Sequence, residues 1–543
     1  MFNWKEFEET KTILSQVHSY KDTSGQHHVS IRPSDLGRWM EVASEDLEYL
    51  TLVDISAVDL APLQLEYNRE IIYTLLNMGN HQRLNVHVLF NQGEILPSIK
   101  DTFPAAEWLE REQAEAFDLT FNKLTPALLL PEKQKAFPLL KTSSLSGWTK
   151  DEMEELPVLP SNPNKSEAPY PEESYVWKRY PLLSSITHSN FEWWVCFDPL
   201  RVVESKVKIG YYHQGFEKLL ESKDWLLGLQ LVDRLNLGTA PTYSVAWARN
   251  LEELLRIKIP ERAQAIRIVA LELARISEHL TVMFEMSRSL QMDEHRLLIN
   301  CREKIYELME KYCGRRQGLG IIRIGGVRED LPHGWIVEYQ TVNDLVSKAL
   351  RSIHNALISN RRFREALSGG SVNAQKVLQW GVSGPAMRAA GLNFDLRKSQ
   401  PFYFYQDIDF DVPVGINGTS YDRYLIRFEE IFQSFRIITQ VIDNLPLGGI
   451  INSDYDQTFP ALKNHLSGEV QKHLWNYSGL EAPGGEAGFL TSLGEGLTPY
   501  RVKIKTPSFS LAQALPQFVH GLTEDQLEVC LASLGIRRLE MDR

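Results

Sequence analysis

Alternating hydrophobic and polar positions in the first 143 residues predict a β-sheet. The strand-like runs are residues 27–31, 50–60, 70–76 and 84–90. The last two flank the turn signal Met78-Gly79-Asn80, which predicts a β-hairpin. One or two helices should follow it, so residues 1–143 are interpreted as an α+β unit. His27 and His28 lie at the start of the first run, where we expect them at the surface.

Residues 144–175 interrupt this pattern. They contain five prolines, at positions 157, 160, 163, 169 and 171, among Asp, Glu, Ser and Asn residues. Such a composition cannot bury enough apolar surface to order itself independently. We therefore predict a linker or a surface strap.

Helical periodicity dominates residues 176–543. A hairpin is predicted at 192–209 around Asp198-Pro199-Leu200, and helices are predicted at 261–290, 294–312, 343–367 and 423–443. In the last helix the apolar residues recur every three or four positions, as on a face packed against a core. Thr419, Ser420 or Asp422 could cap its start, and Gly448-Gly449 marks the end of the region. The pattern predicts a mainly α-helical bundle with small β-hairpins, which makes the whole chain α+β.

Length and charge support this division. At about 150 residues per domain, 543 residues predict three to four domains, or two larger ones. Residues 1–175 contain 15 Lys and Arg against 28 Asp and Glu, a charge of −13, and the remaining 43 against 42 give +1. The acidity therefore belongs to the first domain and its linker. Since the chain has no basic stripe, nucleic acid is not expected as a partner.

The sequence lacks a recognisable cofactor motif. Cys196, Cys301, Cys313 and Cys530 form no C-x-x-C pair, so we expect four reduced structural thiols and no metal site. Gly318 and Gly320 are followed by Arg323 where a dinucleotide fingerprint needs its third glycine, and no P-loop is present. If NADH is used, another chain binds it. No apolar run of about 20 residues and no export signal is found, so we expect a soluble or peripheral protein.

Several longer strings carry a family resemblance. In the second domain they occupy residues 209–218, 260–267, 272–280, 323–327, 392–398, 410–413, 421–423, 499–503, 507–509 and 542–543. Together they resemble the complex I subunit that is related to the large subunits of [NiFe]-hydrogenases. In the first domain, residues 97–98 and 103–112 resemble the smaller partner subunit of the same complex. The order, small then large in one polypeptide, resembles the fused C/D subunits of bacterial NADH-quinone oxidoreductase. The resemblance implies domains 1–143 and 176–543, joined by the linker 144–175.

Two features within the strings have alternative interpretations. Glu272, Arg275 and His279 are spaced to share one face of a helix. That face is either solvated or part of a structural ion-pair network, or it contacts a buried partner or cofactor environment. Gly325-Gly326 and Gly484-Gly485 indicate tight turns more often than binding loops.

The resemblance implies quinone chemistry at an interface with a subunit that carries a [4Fe-4S] cluster. Quinone reduction needs two electrons, delivered through such a cluster, and two protons from hydrogen-bonded acids. His188 keeps the position of the family's proton-donating loop histidine and is the candidate catalytic residue. Arg234 matches the arginine beside the cluster, and it is assigned with His213 as the candidate cofactor-binding residues.

Other positions of that site depart from the family. Leu237 stands where the family has a proton-donating tyrosine, Ser289 where a carboxylate pairs with the loop histidine, and Leu319 where a histidine approaches the cluster. The C-terminal segment 534–541 also differs from the family's tail. Because the nickel-binding cysteines are absent at both ends, hydrogen chemistry is excluded.

The leading hypothesis is a divergent peripheral-arm subunit of a complex I-like oxidoreductase at the cytoplasmic side of the inner membrane. It would pass electrons from NAD(P)H or another donor, through a partner's iron–sulfur cluster, to quinone. Its partners would be an iron–sulfur subunit and membrane subunits, and the isolated chain would be inactive. The alternative is a non-catalytic scaffold of a complex I- or hydrogenase-like assembly that has lost the quinone site.

Overall fold

The computed structural model describes residues 18–21, 26–124, 127–130, 137–143, 176–180, 191–452, 475–494 and 498–543. The linker predicted at 144–175 and the candidate His188 lie outside these residues. Packing divides the chain into two compact units. The N-terminal unit comprises the described residues up to 173 together with 208–218 and 375–381, and the C-terminal unit comprises 174–207, 219–374 and 382–543.

A five-stranded mixed sheet forms the N-terminal unit. Its strands are β1 (His18–Lys21), β2 (His27–Ile31), β3 (Thr51–Asp59), β4 (Arg69–Leu76) and β5 (Arg83–Phe90). They lie in the order β1-β2-β5-β4-β3, and only the β2–β5 pair is parallel. The predicted strands and the β4–β5 hairpin are therefore confirmed. Helices α1 (Leu36–Glu45) and α2 (Ala106–Phe117) and the short strands β6 (Ile95–Leu96) and β7 (Thr120–Phe121) complete the unit.

The surface position predicted for His27 and His28 is wrong. His27 is 3% exposed and His28 is 5% exposed. The reason is that β2 is not an edge strand, since β1 covers one side of it and β5 the other. The His28 ring pairs through Nδ1 with His87 Nε2 at 2.8 Å, and His87 Nδ1 lies 2.7 Å from Glu70 Oε1.

Gly210, near the start of the string at 209–218, has a packing role within the N-terminal unit. Gly210 has φ of +100°, and a Cβ there would lie 2.6 Å from the carbonyl oxygen of Leu129. Neither the dihedral nor the space admits a side chain. Lys218 ties down the other end of the string by donating from Nζ to the carbonyl of Leu140 at 2.8 Å.

Helices dominate the C-terminal unit, which also contains two three-stranded antiparallel sheets. The described helices are α3 (Phe216–Glu221), α4 (Trp225–Val232), α5 (Ala240–Leu254), α6 (Glu261–Ser289), α7 (Glu294–Cys313), α8 (Trp335–Ser359), α9 (Arg361–Leu367), α10 (Ala374–Gln379), α11 (Gly384–Ala389), α12 (Leu396–Ser399), α13 (Ser420–Asp443), α14 (Pro507–Val519), α15 (Glu524–Leu534) and α16 (Arg538–Met541). Helices α3 and α10 run partly in the N-terminal unit.

The strands of the C-terminal unit form two three-stranded sheets and one short pair. They are β8 (Val176–Tyr180), β9 (Glu192–Asp198), β10 (Arg201–Lys208), β11 (Ile322–Arg323), β12 (Gly326–Val327), β13 (Trp475–Ala482), β14 (Gly485–Leu493) and β15 (Pro499–Lys505). The sheet orders are β10-β9-β8 and β13-β14-β15, and β11 pairs with β12. The predicted β9–β10 hairpin is confirmed. The β13–β15 sheet escaped prediction because glycines interrupt its strands, with Gly479 directly opposite Gly488.

Helix boundaries follow local capping chemistry. The helix predicted at 343–367 is two helices, because Asn360 ends α8 and caps α9 by accepting a hydrogen bond from Phe363 N at 3.3 Å. At the start of α13, Thr419 is the capping residue and Asp422 completes a reciprocal capping box. Two of the three candidates named for that cap therefore act together.

The charged face of α6 is a buried ion-pair network, not a solvated surface. Glu272 accepts hydrogen bonds from Arg275 at 3.1 Å, Arg397 at 3.1 Å and Tyr405 at 2.7 Å. These four side chains are at most 2% exposed. Among the alternatives, the structural network is confirmed and the solvated face is wrong.

A second part of the network surrounds Glu430 on α13. Arg388 donates to Glu430 at 2.9 Å and to Glu481 at 2.7 Å. His279 lies 2.7 Å from Glu430 through Nε2, and the Arg427 guanidinium faces its Nδ1 at 3.1 Å. Burial lowers the pKa of His279 to about 4, so its ring is neutral and donates to the carboxylate.

The adjacent glycines at 325 and 326 serve packing, as expected of a tight turn. Arg267 binds Glu252 with two hydrogen bonds of 2.7 and 2.9 Å, and Glu252 also accepts from Gly325 N at 2.7 Å. A Cβ on Gly326 would lie 2.2 Å from the carbonyl oxygen of Ile450. The turn therefore connects β11 and β12 against buried neighbours.

The cysteines and the apolar character of the helices were also predicted from the sequence. All four cysteines are free and buried. Among the helices that the structure describes, none has the length and apolar composition to cross a bilayer.

Arg388 provides a test of the buried network. Arg388→Met leaves the carboxylates of Glu430 and Glu481 short of a cation, and breaking a buried ion pair typically costs about 3–5 kcal/mol. We expect a loss of that size in the free energy of unfolding of the full-length chain, measured by urea titration. Arg361→Met is the control, because its pair with Glu365 is exposed and should leave the midpoint unchanged. Equal midpoints for both variants would contradict a structural role.

Candidate functional site

Arg234 and Leu237 lie on a turn with an exposed apolar surface. The turn connects α4 to α5 through two short 3-10 segments, Asp233–Leu235 and Leu237–Thr239. Arg234 is exposed, and among the described residues it has no hydrogen bond or ion pair. Leu237 is 49% exposed, and Leu226 and Leu227 on α4 are 37% and 45% exposed. The surface thus combines exposed leucines with an arginine that has no partner in the described chain.

Buried and partly buried hydrogen bonds fix the backbone of this turn. Asn236 accepts from Gly238 N at 3.1 Å through Oδ1 and donates to Glu540 at 2.8 Å through Nδ2. Asp233 accepts from Ser244 Oγ, and burial raises the pKa of its carboxyl to about 6. Because its anchors are buried, the turn presents Arg234 and Leu237 from a rigid base.

Position 319 comes close to position 237. Gly318 and Gly320 have φ of +59° and +60°, so they serve a turn and not a dinucleotide loop. A Cβ on Gly318 would lie 3.5 Å from Leu237 Cδ2. Leu319 itself is 3% exposed. The structure therefore brings together three of the positions singled out from the sequence, namely 234, 237 and 319.

A buried cluster of three charges lies behind this turn. Arg537 donates from Nε to Glu278 at 2.6 Å and from Nη1 to Glu285 at 2.8 Å. Glu278 Oε2 would lie 3.2 Å from a Cβ on Gly238. Sequence reasoning missed this cluster, although two signals pointed to it. Glu278 and Glu285 are seven residues apart and so share a helix face, and Arg537 lies in the segment that departs from the family.

The cluster holds more negative than positive charge. Burial raises the pKa of the Glu285 carboxyl to about 7 even though Arg537 opposes the shift, and neighbouring Glu278 adds to it. Burial alone would lower the pKa of Arg537, but the two carboxylates raise it above its ordinary value. One guanidinium therefore stays charged between two carboxyl groups, of which Glu285 titrates near neutrality.

The other candidate residues occupy separate places. His213 belongs to the N-terminal unit, where it is half-buried and its backbone N–H donates to the Gly210 carbonyl at 3.2 Å. Ser289 is the last residue of α6, one turn beyond Glu285, and its Oγ donates to the Met286 carbonyl at 2.8 Å. The assignments of His188, Arg234 and His213 stay predictions.

The described part of the chain offers no ligand set for a metal of its own. In those residues, no group of three or more His, Cys, Asp and Glu side chains is arranged to hold a metal ion.

Glu285 makes the stability of the chain depend on pH. Its carboxyl pKa rises from an ordinary 4.5 to about 7 on folding. The protonated group favours the folded state fully below pH 4.5, and this contribution is lost as the pH rises through 7. At about 1.4 kcal/mol per pKa unit, the change is on the order of 3 kcal/mol.

Glu285→Gln tests this dependence. Relative to wild type, the variant should gain stability steadily as the pH rises from 4.5 to about 7, measured by urea unfolding of the full-length chain. Glu310→Gln on the exposed face of α7 is the control and should show a constant difference. A constant difference for Glu285→Gln as well would show that the carboxyl is already ionised in this range.

Two family models match the chain in sequence. Residues 29–148 match the family described as "Respiratory-chain NADH dehydrogenase, 30 Kd subunit". Residues 291–543 match "Respiratory-chain NADH dehydrogenase, 49 Kd subunit". The two matches follow the chain in the order small subunit, then large subunit.

Curated relatives match the chain along nearly its whole length. The C/D subunit of NADH-quinone oxidoreductase from Bdellovibrio bacteriovorus is 30% identical over 559 aligned positions, covering 99% of both chains. The proteins of the same name from Acinetobacter baylyi and Psychrobacter sp. are 28% and 29% identical, covering 92% and 91% of this chain and 89% of theirs. The chain therefore belongs to the family of fused C/D subunits of NADH-quinone oxidoreductase.

Proposed function

We propose that this chain is a peripheral-arm subunit of a membrane-associated oxidoreductase of the complex I type. In this assembly, electrons from NAD(P)H or another donor reach quinone through a [4Fe-4S] cluster on a partner subunit. The names of the full-length relatives support this role. They favour it over the scaffold alternative, because each relative is named as a subunit of a quinone oxidoreductase.

The observation that carries the proposal is the exposed turn at 233–239. An arginine without a described partner, set among exposed leucines on a rigid base, is suited to contact another chain. Arg234 would lie beside the partner's cluster, where a positive charge stabilises the reduced, more negative state. The iron–sulfur partner would therefore cover this surface.

The two-domain division follows from the same proposal. Residues 1–143 would be the small-subunit domain, 144–175 the linker, and 176–543 a bundle of the [NiFe]-hydrogenase large-subunit type without its nickel cysteines. The family models support the order of the domains. The matched ranges do not define the boundary of the linker and do not include residues 176–290, so these parts of the division are proposed.

His188 and His213 would serve the quinone, His188 as proton donor and His213 as a binding residue. A histidine suits proton transfer near neutral pH because its ordinary pKa lies there. The assembly would include membrane subunits and lie at the cytoplasmic side of the inner membrane. The chain alone would have no quinone reductase activity, because the cluster that delivers the electrons would be held by a partner subunit.

His188→Ala tests the proton donor. Removal of a general acid typically costs about 100-fold or more, so kcat for quinone reduction by the assembled complex should fall by that factor. His333→Ala, at an exposed position in the C-terminal unit, is the control and should leave kcat unchanged. If both variants reduce quinone at the wild-type rate, His188 is not the donor.

Arg234→Met tests the contact with the partner's cluster. Loss of the cation should make the cluster's midpoint potential more negative by some tens of millivolts, because a partly solvated charge contributes on the order of 1 kcal/mol. An EPR-monitored redox titration of the assembled complex measures this shift. Arg362→Met removes another exposed arginine and should leave the potential unchanged. Unchanged potentials in both variants would place the cluster away from Arg234.

A further inference from the structure

We propose that Glu278, Glu285 and Arg537 form a proton-holding site behind the turn that carries Leu237, and that this site supplies protons to quinone. The inference rests on the proposed function. Leu237 has no proton to donate, whereas the Glu278 carboxylate lies directly behind the neighbouring residue, Gly238. The proton-donating group would therefore lie on α6, beneath the turn, and not on the turn itself.

The geometry favours one added proton on the cluster. A single guanidinium binds both carboxylates, at 2.6 Å to Glu278 and at 2.8 and 3.1 Å to Glu285. With all three groups ionised the cluster carries one net negative charge. Glu285 is 1% exposed and Glu278 6%, so water screens this charge poorly. One added proton makes the cluster neutral, as in other buried pairs of carboxyl groups.

The charged and titratable groups around the cluster offset its charge only in part. They are Tyr243 on α5, Tyr306 on α7, Arg427 on α13 and Glu540 on α16. Arg427 is the one cation among these four. Its guanidinium already donates to the carbonyls of Ser533 and Leu534 and faces His279, and burial lowers its pKa to about 10. Arg427 and Arg537 both oppose the rise in the pKa of Glu285, but burial together with Glu278 outweighs them.

Gly238 leaves a short path for the proton between the Glu278 carboxylate and the outer face of the turn. A Cβ at this position would lie 3.2 Å from Glu278 Oε2, so any larger side chain would stand between the carboxylate and the outer face of the turn. Glu278 is also the more exposed of the two glutamates. Glu285 would hold the added proton, while the Glu278 carboxylate lies on the side of the cluster that faces the turn.

The proposed step balances in charge and atoms. The partner's [4Fe-4S] cluster, reduced by the donor of the assembly, would supply the two electrons. The two carbonyl oxygens of quinone take up two protons and become the hydroxyls of quinol. The O–H bond of the protonated carboxyl breaks as one of these hydroxyls forms, and the N–H bond of protonated His188 breaks as the other forms. The carboxylate and the imidazole each regain a proton from water.

The pH dependence of quinone reduction by the assembled complex tests the inference. In the wild type, kcat should fall as the pH rises through about 7, since the proton is then lost. Glu278→Gln and Glu285→Gln each leave one carboxylate paired with Arg537. Both should lower kcat by about tenfold or more and, in a His188→Ala background where the histidine cannot contribute, abolish this step in the profile. Glu285→Asp keeps a titratable group and should retain the step.

Glu307→Gln is the matched control, because Glu307 is an exposed residue of α7 paired with Lys304. It should keep the wild-type rate and profile. Infrared difference spectra of the full-length chain give an independent readout. Protonated-carboxyl absorption should be lost as the pH rises through about 7, and the difference between wild type and Glu285→Gln should isolate the part that belongs to Glu285 from that of Glu110 and Glu115.

The outcomes separate this inference from the proposed function. If the wild-type complex reduces quinone and both glutamine variants keep its rate and profile, the proton-holding site is refuted while the function stands. A wild-type complex that assembles but does not reduce quinone would refute the function and this role with it. Loss of rate with the step still present in the pH profile would show a purely structural role and overturn the inference.

Discussion

The rest of the C-terminal unit depends on one constraint, the burial of charge along α6. This 29-residue helix is buried on nearly all sides, yet it carries Arg267, Glu272, Arg275, Glu278, His279 and Glu285. A buried charge is tolerated only when opposite charges and hydrogen bonds surround it. The partners come from α5, α12, α13 and the C-terminal segment, so these distant parts of the chain must assemble around α6 together.

The same helix connects the core to the candidate site. At its middle, Glu272 is compensated by two arginines and two hydroxyl groups, whereas nearer its C-terminal end two glutamates share Arg537. The first arrangement is satisfied and serves stability. The second keeps an excess negative charge beside an exposed turn, which is the electrostatic pattern of a site that exchanges protons.

Predictions from sequence succeeded where local patterns decide the structure. The β4–β5 and β9–β10 hairpins follow from alternation and turn residues, and α6, α7 and α13 from helical periodicity and capping. They failed where neighbours decide. His28 is buried because two strands flank β2. The break at Asn360 is different, because it follows from a local side-chain cap that the periodicity of apolar residues does not reveal. The sequence shows the substitutions at 237, 289 and 319, but it does not show which side chains pack near these positions.

By itself, the sequence determined the family, the order of the two domains and the absence of the nickel thiolates. Collinear strings and cysteine spacing are properties of the chain as written. Tertiary structure alone decided that the charges at 272–279 are buried and paired, and that Arg537 reaches two glutamates some 250 residues away. The physical reason is that the desolvation of a charge depends on the groups packed around it, which sequence spacing does not specify.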